Sequence, residues 1–200
     1  MMYLISFWGM LLSTAMAEEA DLTTNKEPEQ NPEGIQAFQQ VYQVLQHPRC
    51  LNCHPSGDAP LQNDDSQPHA MNISRLSLEG GLECAACHQS QNSEAFGIAG
   101  GPPGAPNWHL PEKDMPLVFQ GLRAAELCAQ LKNSEENGHK TMQELLAHIA
   151  GDPLVLWGWN PGGDRSTPPL SHADFVTQFQ QWMAAGAPCP SDSNTPSMPQ

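Results

Sequence analysis

Basic residues are scarce in this chain: 8 Lys and Arg stand against 22 Asp and Glu, a net charge of -14 over 200 residues. Phosphate contacts need Lys and Arg, so this balance argues against nucleic-acid binding. A partner with a basic surface is the complementary expectation; the plainer reading of the charge is solubility. Aromatic residues are few, at 6%, and hydrophobic residues reach only 39%. That is thin material for a core of this size. Past the N-terminus no stretch approaches the ~18 apolar residues of a membrane-spanning helix. Loop formers, in contrast, abound, with 19 Pro and 16 Gly, well above average usage. Such a chain leans on bound cofactors, metals or disulfides for its organisation.

Residues Tyr3 to Leu12 form a short apolar run, and Ala15-Met16-Ala17 fits a small-x-small cleavage site. Residues 1–17 therefore read as a signal peptide, and the mature chain as a periplasmic protein that does not span a membrane. The n-region has no Lys or Arg, which leaves an uncleaved anchor as the alternative. Residues 18–30 are acidic and polar, a disordered leader. Residues 31–190 are the folded domain and 191–200 a disordered tail. Asn31-Pro32 starts a helix, continued at helical spacing by Ile35, Phe38, Val41, Tyr42 and Leu45 and stopped near His47-Pro48. A further helix is expected from about Leu117 to Lys132, with Leu117, Leu122, Ala125, Cys128 and Leu131 on one face. Thr141 and Glu144 make a capping box for a short helix to about Ala150. Ser171 and Asp174 make a weaker one for a helix carrying Phe175, Phe179, Trp182 and Met183. Residues 55–80, 90–114 and 151–170 read as mostly loop, and no strand is expected.

The one internal repeat is short. Cys50-Leu51-Asn52-Cys53-His54 and Cys84-Ala85-Ala86-Cys87-His88 are both C-x-x-C-H, the attachment pattern of c-type haem. Two cysteines three apart can bond the two vinyl groups of one porphyrin edge, and the next residue then lies under the ring. The candidates for thioether attachment are Cys50, Cys53, Cys84 and Cys87, and those for the proximal iron ligands are His54 and His88. Only 8 of 200 residues are His, so its place directly after both Cys pairs carries weight. The expected fold class is thus mainly α with long Pro/Gly-rich loops, cytochrome c-like, with two haem-attachment segments and two covalently bound haems. A four-thiolate zinc site leaves both histidines unexplained. A thioredoxin-like dithiol needs a βαβ setting that the chain lacks.

Each iron needs a second axial ligand or an open position. The remaining histidines are His47, His69, His109, His139, His148 and His172. The first choices are His69 and His109, with Met71 and Met115 as the other candidates and His148 still open. Each of these is also readable as an ordinary loop or surface residue. Cys128 and Cys189 remain, and in an oxidising compartment they are expected to pair. Trp157-Gly158-Trp159 can pack on a porphyrin or in an ordinary core. Asp58, Asp64 and Asp65 read as solvated loop charge.

The chain resembles a family of small periplasmic dihaem cytochromes, some of them companions of isoquinoline 1-oxidoreductase-type molybdenum hydroxylases. The resembling stretches are Asn52-Cys53-His54-Pro55-Ser56-Gly57-Asp58, His69-Ala70-Met71-Asn72, Gly104-Ala105-Pro106-Asn107-Trp108-His109-Leu110-Pro111, Leu156-Trp157-Gly158-Trp159-Asn160-Pro161 and Gly186-Ala187-Pro188-Cys189-Pro190. The resemblance implies an electron carrier rather than an enzyme. Its redox partners would be a molybdenum hydroxylase-type oxidoreductase and another cytochrome. A dihaem peroxidase-like enzyme and a haem-based sensor are the alternatives.

Overall fold

A computed structural model of the chain describes residues 31–93 and 101–191. The signal segment, the acidic leader and all but the first residue of the tail lie outside the described residues. The described fold is mainly helical. Helix α1 (Pro32–Leu45) starts as its sequence dictates: the Gly34 N–H donates to the Asn31 side chain at 3.2 Å, and Pro occupies the first helical position. A short α2 (Pro48–Leu51) follows, capped by His47, whose Nδ1 accepts from the Arg49 N–H at 3.2 Å. A two-residue ladder then pairs β1 (Leu61–Gln62) with β2 (Gln67–Pro68). Beyond it lie α3 (Arg75–Glu79), α4 (Ala124–Lys132), α5 (Met142–Gly151), α6 (Pro153–Trp157) and α7 (His172–Ala184).

The core is where the apolar stripes of these helices meet. Phe38, Val41 and Val44 of α1 face Phe175, Phe179 and Trp182 of α7, all almost wholly buried, and Leu127, Leu131 and Leu145 close the sides. Phe38 and Phe179 lie against Trp182 with ring centroids 4.8 and 5.2 Å away. Gly34 lets α1 approach closely, because a Cβ there would collide with Ala185 and Pro188. Cys128 of α4 and Cys189 form a disulfide across 61 residues. Beside it, Lys132 donates to the Ala187 carbonyl at 2.7 Å and the Trp182 indole to that of Pro188 at 3.0 Å.

Three sequence expectations need correction. The helix expected from Leu117 begins only at Ala124. The backbone of 117–122 is engaged elsewhere: Phe119 and Gln120 both donate to the His54 carbonyl, at 3.0 and 3.2 Å. The Tyr42 hydroxyl and the Gln46 amide take the Leu122 and Phe119 carbonyls. Leu117 and Gly121 also have positive φ, of 44° and 79°, which is incompatible with a right-handed helix. The second correction concerns 151–170, where α6 forms behind Asp152; its carboxylate accepts from the Leu154 N–H at 2.8 Å, with Pro153 at the first position. The third is the β1–β2 ladder, which is short because its sequence has no apolar alternation. It is held instead by the Asn52 side chain, which donates to the Asn63 carbonyl at 2.9 Å.

Candidate cofactor-binding site

The two C-x-x-C-H segments fold alike. Each wraps one tight turn, so that the His N–H returns to the first Cys carbonyl, at 3.1 Å for His54 to Cys50 and 2.9 Å for His88 to Cys84. Each places its cysteines and histidine on the wall of its own cavity. The first cavity, about 140 Å³, is lined by Cys50, Cys53 and His54 together with apolar side chains of the helical core, among them Leu45, Leu131, Leu145 and Phe179. The second, about 360 Å³, is lined by Cys84, Cys87 and His88 and by Ile73, Leu78, Leu82, Trp108 and Trp157. Arg49, Cys53 and His109 belong to both walls. The two cavities are therefore neighbours separated by a partition one or two side chains thick.

Both motif histidines are held in one tautomer. The His54 Nδ1 lies 2.8 Å from the Leu117 carbonyl, and the His88 Nδ1 lies 2.8 Å from that of Pro103. A carbonyl only accepts, so Nδ1 carries the proton and Nε2 keeps its lone pair. This is the arrangement in which a metal-ligating histidine is oriented from behind. Aromatic rings fix the imidazoles laterally: Phe119 stacks on His54 at 4.0 Å, and Trp108 lies parallel to His88 at 4.6 Å. Burial pushes His54 down to about 4, a shift that the Leu117 carbonyl partly offsets. His88 is lowered by burial too, against the Pro103 carbonyl. Both rings are therefore neutral at physiological pH.

None of the four motif cysteines is in a disulfide. Burial raises Cys50 to about 12 and Cys53 to about 11, with Arg49 a smaller opposing influence, and it raises Cys84 as well. A reactive dithiol has the opposite character, a thiol with lowered pKa. Among the described residues no group of three or more His, Cys, Asp or Glu side chains is arranged to hold a bare metal ion.

The partition contains a cation. Arg49 is only 6% exposed. It pairs with Asp64, sits 5.8 Å from the Trp157 ring centre, and leaves its Nε without a hydrogen bond. Asp64 is therefore not merely solvated loop charge, and Asp58 likewise lies 3.8 Å from the buried Arg75. A buried guanidinium with one carboxylate partner and a spare N–H suits a carboxylate-bearing ligand. So the donor set fits haem: two thiols and a lone-pair imidazole nitrogen on each mainly apolar wall, and a cation between the walls. At about 140 Å³ the first cavity is below the usual size of ligand sites. Its apolar walls must spread for a porphyrin to seat fully.

The other sequence candidates separate clearly. His69 and Met71 line the second cavity, Met71 being 80% exposed, and His109 borders both cavities. His148 lines the first, its Nδ1 3.3 Å from the Asp152 carboxylate. Met115 lies on neither wall, as do His47, His139 and His172. Trp157 and Trp159 divide between the second and first cavities.

Sequence reasoning missed Asn92. Its amide oxygen accepts from the Trp157 indole at 2.8 Å and the Gly104 N–H at 3.1 Å, and its nitrogen donates to the Asn160 carbonyl at 3.0 Å. It ties the second motif to the loop behind His88 and to the end of α6. No local pattern marks such a residue, because its partners are 12 to 68 positions away. Arg49 was equally silent, although its position directly before Cys50 in a chain so poor in cations was a usable signal. No protein-family model, no curated protein and no solved structure matches the chain.

Proposed function

We propose that this chain is an exported dihaem c-type cytochrome, cytochrome c-like in its two attachment segments, that passes electrons between a partner oxidoreductase and a downstream acceptor. The observation that carries the reading is the repeated tautomer. Two unrelated stretches of backbone, at Leu117 and Pro103, take the Nδ1 proton of His54 and His88. Each leaves an Nε2 lone pair beside its own pair of thiols. Haem bound there supplies the one-electron couple of its iron.

The residues have distinct tasks. Cys50 and Cys53 hold one group and Cys84 and Cys87 the other. Each thiol would hold its group as a thioether, by addition of S–H across a C=C, which needs no oxidant. His54 and His88 would supply the imidazole nitrogens to the two irons. Phe119 and Trp108 keep the rings from rotating, and the apolar walls exclude water. Cys53 borders both cavities, which favours a short relay within one chain. The reaction that supplies electrons is assigned to the partner. A molybdenum hydroxylase-type donor remains the expectation from resemblance. The net charge of -14 favours a basic docking surface on that partner.

A pyridine haemochrome assay with intact mass, on protein matured through a c-haem assembly system, tests the reading. The expected result is two covalent haems per chain, with residues 1–17 removed. Protein with no covalent haem, carrying zinc or extra disulfides instead, would overturn it.

A further inference from the structure

Resting on the haem reading, the next question is what lies opposite His88. We propose that His69 is the second axial ligand in the second cavity, so that this centre is a bis-histidine site carried by the β1–β2 hairpin.

Ring nitrogens decide among the histidines. A ligand needs Nε2 free, Nδ1 engaged as a donor, and a place on a cavity wall. His47 fails, since its Nδ1 accepts from Arg49 and its Nε2 meets the Ser166 hydroxyl at 3.3 Å. His172 fails because its Nε2 is the donor, to the Ile149 carbonyl at 2.8 Å. His139 lines neither cavity. His69, His109 and His148 pass, with Nδ1 against the Ala70 carbonyl, the Asn107 carbonyl and the Asp152 carboxylate respectively.

Distance then selects His69 over His109, which also borders the second cavity: among the described residues the ring partners of His88 are His69 and Trp108. Its ring centre is 6.0 Å from that of His88, with the planes at 64°. A metal–imidazole bond of about 2.0 Å, plus roughly 1.1 Å from nitrogen to ring centre, puts two trans imidazoles about 6.2 Å apart. The observed 6.0 Å matches that spacing. His148, on the other cavity's wall, does not compete here. Met71 does line this wall, but it is 80% exposed and held at φ 64°, which directs it less firmly than a hydrogen-bonded imidazole.

The hairpin explains how a loop residue is held for this task. The His69 N–H donates to the Pro60 carbonyl at 3.0 Å, and the Ala70 N–H to the Gln62 side chain at 3.0 Å. The facing strand is fastened to the first motif at the same end of the ladder, where the Leu61 N–H donates to the Asn52 carbonyl at 2.9 Å. The distal ligand of one centre is thereby hung from the attachment segment of the other.

The test is His69→Ala in the matured, fully haem-loaded protein. The expected outcome keeps two covalent haems per chain but converts one of them to a five-coordinate, carbon-monoxide-binding form, with added imidazole restoring the low-spin spectrum. A variant that binds no carbon monoxide and keeps the parental spectrum would overturn the assignment. If the variant does not mature, near-infrared magnetic circular dichroism of the parent protein decides. A bis-histidine band for the second centre supports the assignment, and a methionine-sulfur band there overturns it in favour of Met71. Parent protein without covalent haem is a separate failure, that of the cytochrome reading itself, and it removes this assignment with it.

Discussion

Replacing both Cys128 and Cys189 by Ala removes the one disulfide among the described residues. The pair closes a loop of 61 residues, and the chain-entropy model puts the associated stabilisation at about 4 kcal/mol. The effect acts on the unfolded chain, which gains the freedom that the bond denied it. The native turn should stay docked without sulfur, because Lys132 and Trp182 still hold the Ala187 and Pro188 carbonyls. For a domain of this size a loss of 4 kcal/mol lowers the melting temperature by roughly 8–16 °C. Urea titration of the haem-loaded protein, followed by far-ultraviolet circular dichroism, is the assay. The expected double variant has a lower midpoint, a slightly steeper slope from its more open unfolded state, and an unchanged haem spectrum. A loss below about 1 kcal/mol would refute the reasoning by showing that the bond constrains the unfolded ensemble little. A changed haem spectrum would refute the claim that this tether is independent of the cavities. As a prior check, if attachment consumes four of the six cysteines, as the proposed function requires, the denatured mature protein should titrate no free thiol before reduction and two after.

Gly104→Ala should lower haem occupancy at the second motif and spare the first. A Cβ at Gly104 would press on the Gln89 and Gln91 carbonyls, and overpacking of that kind costs about 1–3 kcal/mol, here beside the carbonyl that orients His88. Peptide mapping of haem attachment reads the difference. His47→Asn should remove an acid-side loss of stability. Burial first, and Arg49 second, lower His47 in the folded state, so the unfolded chain takes up the proton first and stability falls as pH drops below about 6.5. Asn preserves the cap of α2 without titrating, so denaturation midpoints measured between pH 7 and 5 should fall less steeply in the variant than in the parent, with the remaining slope left to other buried histidines such as His54 and His88. Asn92→Ala, which strips three hydrogen bonds, should destabilise by about 2–4 kcal/mol and broaden the spectrum of the second haem only. Association with a basic redox partner should slow as salt rises, and a rate flat in ionic strength would remove charge steering from the account.

The legible parts of this protein are those written at short range. Asn31-Pro32, Thr141 with Glu144, and Ser171 with Asp174 announce helix starts, and each stands at the head of an observed helix. The spacing of Phe175, Phe179 and Trp182 likewise marks the face that α7 buries. What could not be read is where long-range bonds override local preference. Leu117 to Leu122 has helical spacing, yet His54, Gln46 and Tyr42 claim its backbone from 63 to 80 residues away. The site divides in the same way. The attachment motifs are contiguous in sequence and plain to see. The carbonyls behind the histidines, the Arg49 partition and the Asn92 node exist only once distant segments meet.

That division bears on the order in which a mature protein can be made. The first motif emerges early from a chain synthesised from its N-terminus, but its cavity is walled by Leu131, Leu145, His148, Trp159, Phe175 and Phe179, and its histidine is locked by Leu117. When Cys50 and Cys53 first become available, none of this lodging exists. A loosely held group would be lost or misplaced during the wait. On the proposed haem reading a covalent leash would solve the timing: the cofactor would be moored to a bare pentapeptide, and the walls that follow in sequence would assemble around a guest already aboard.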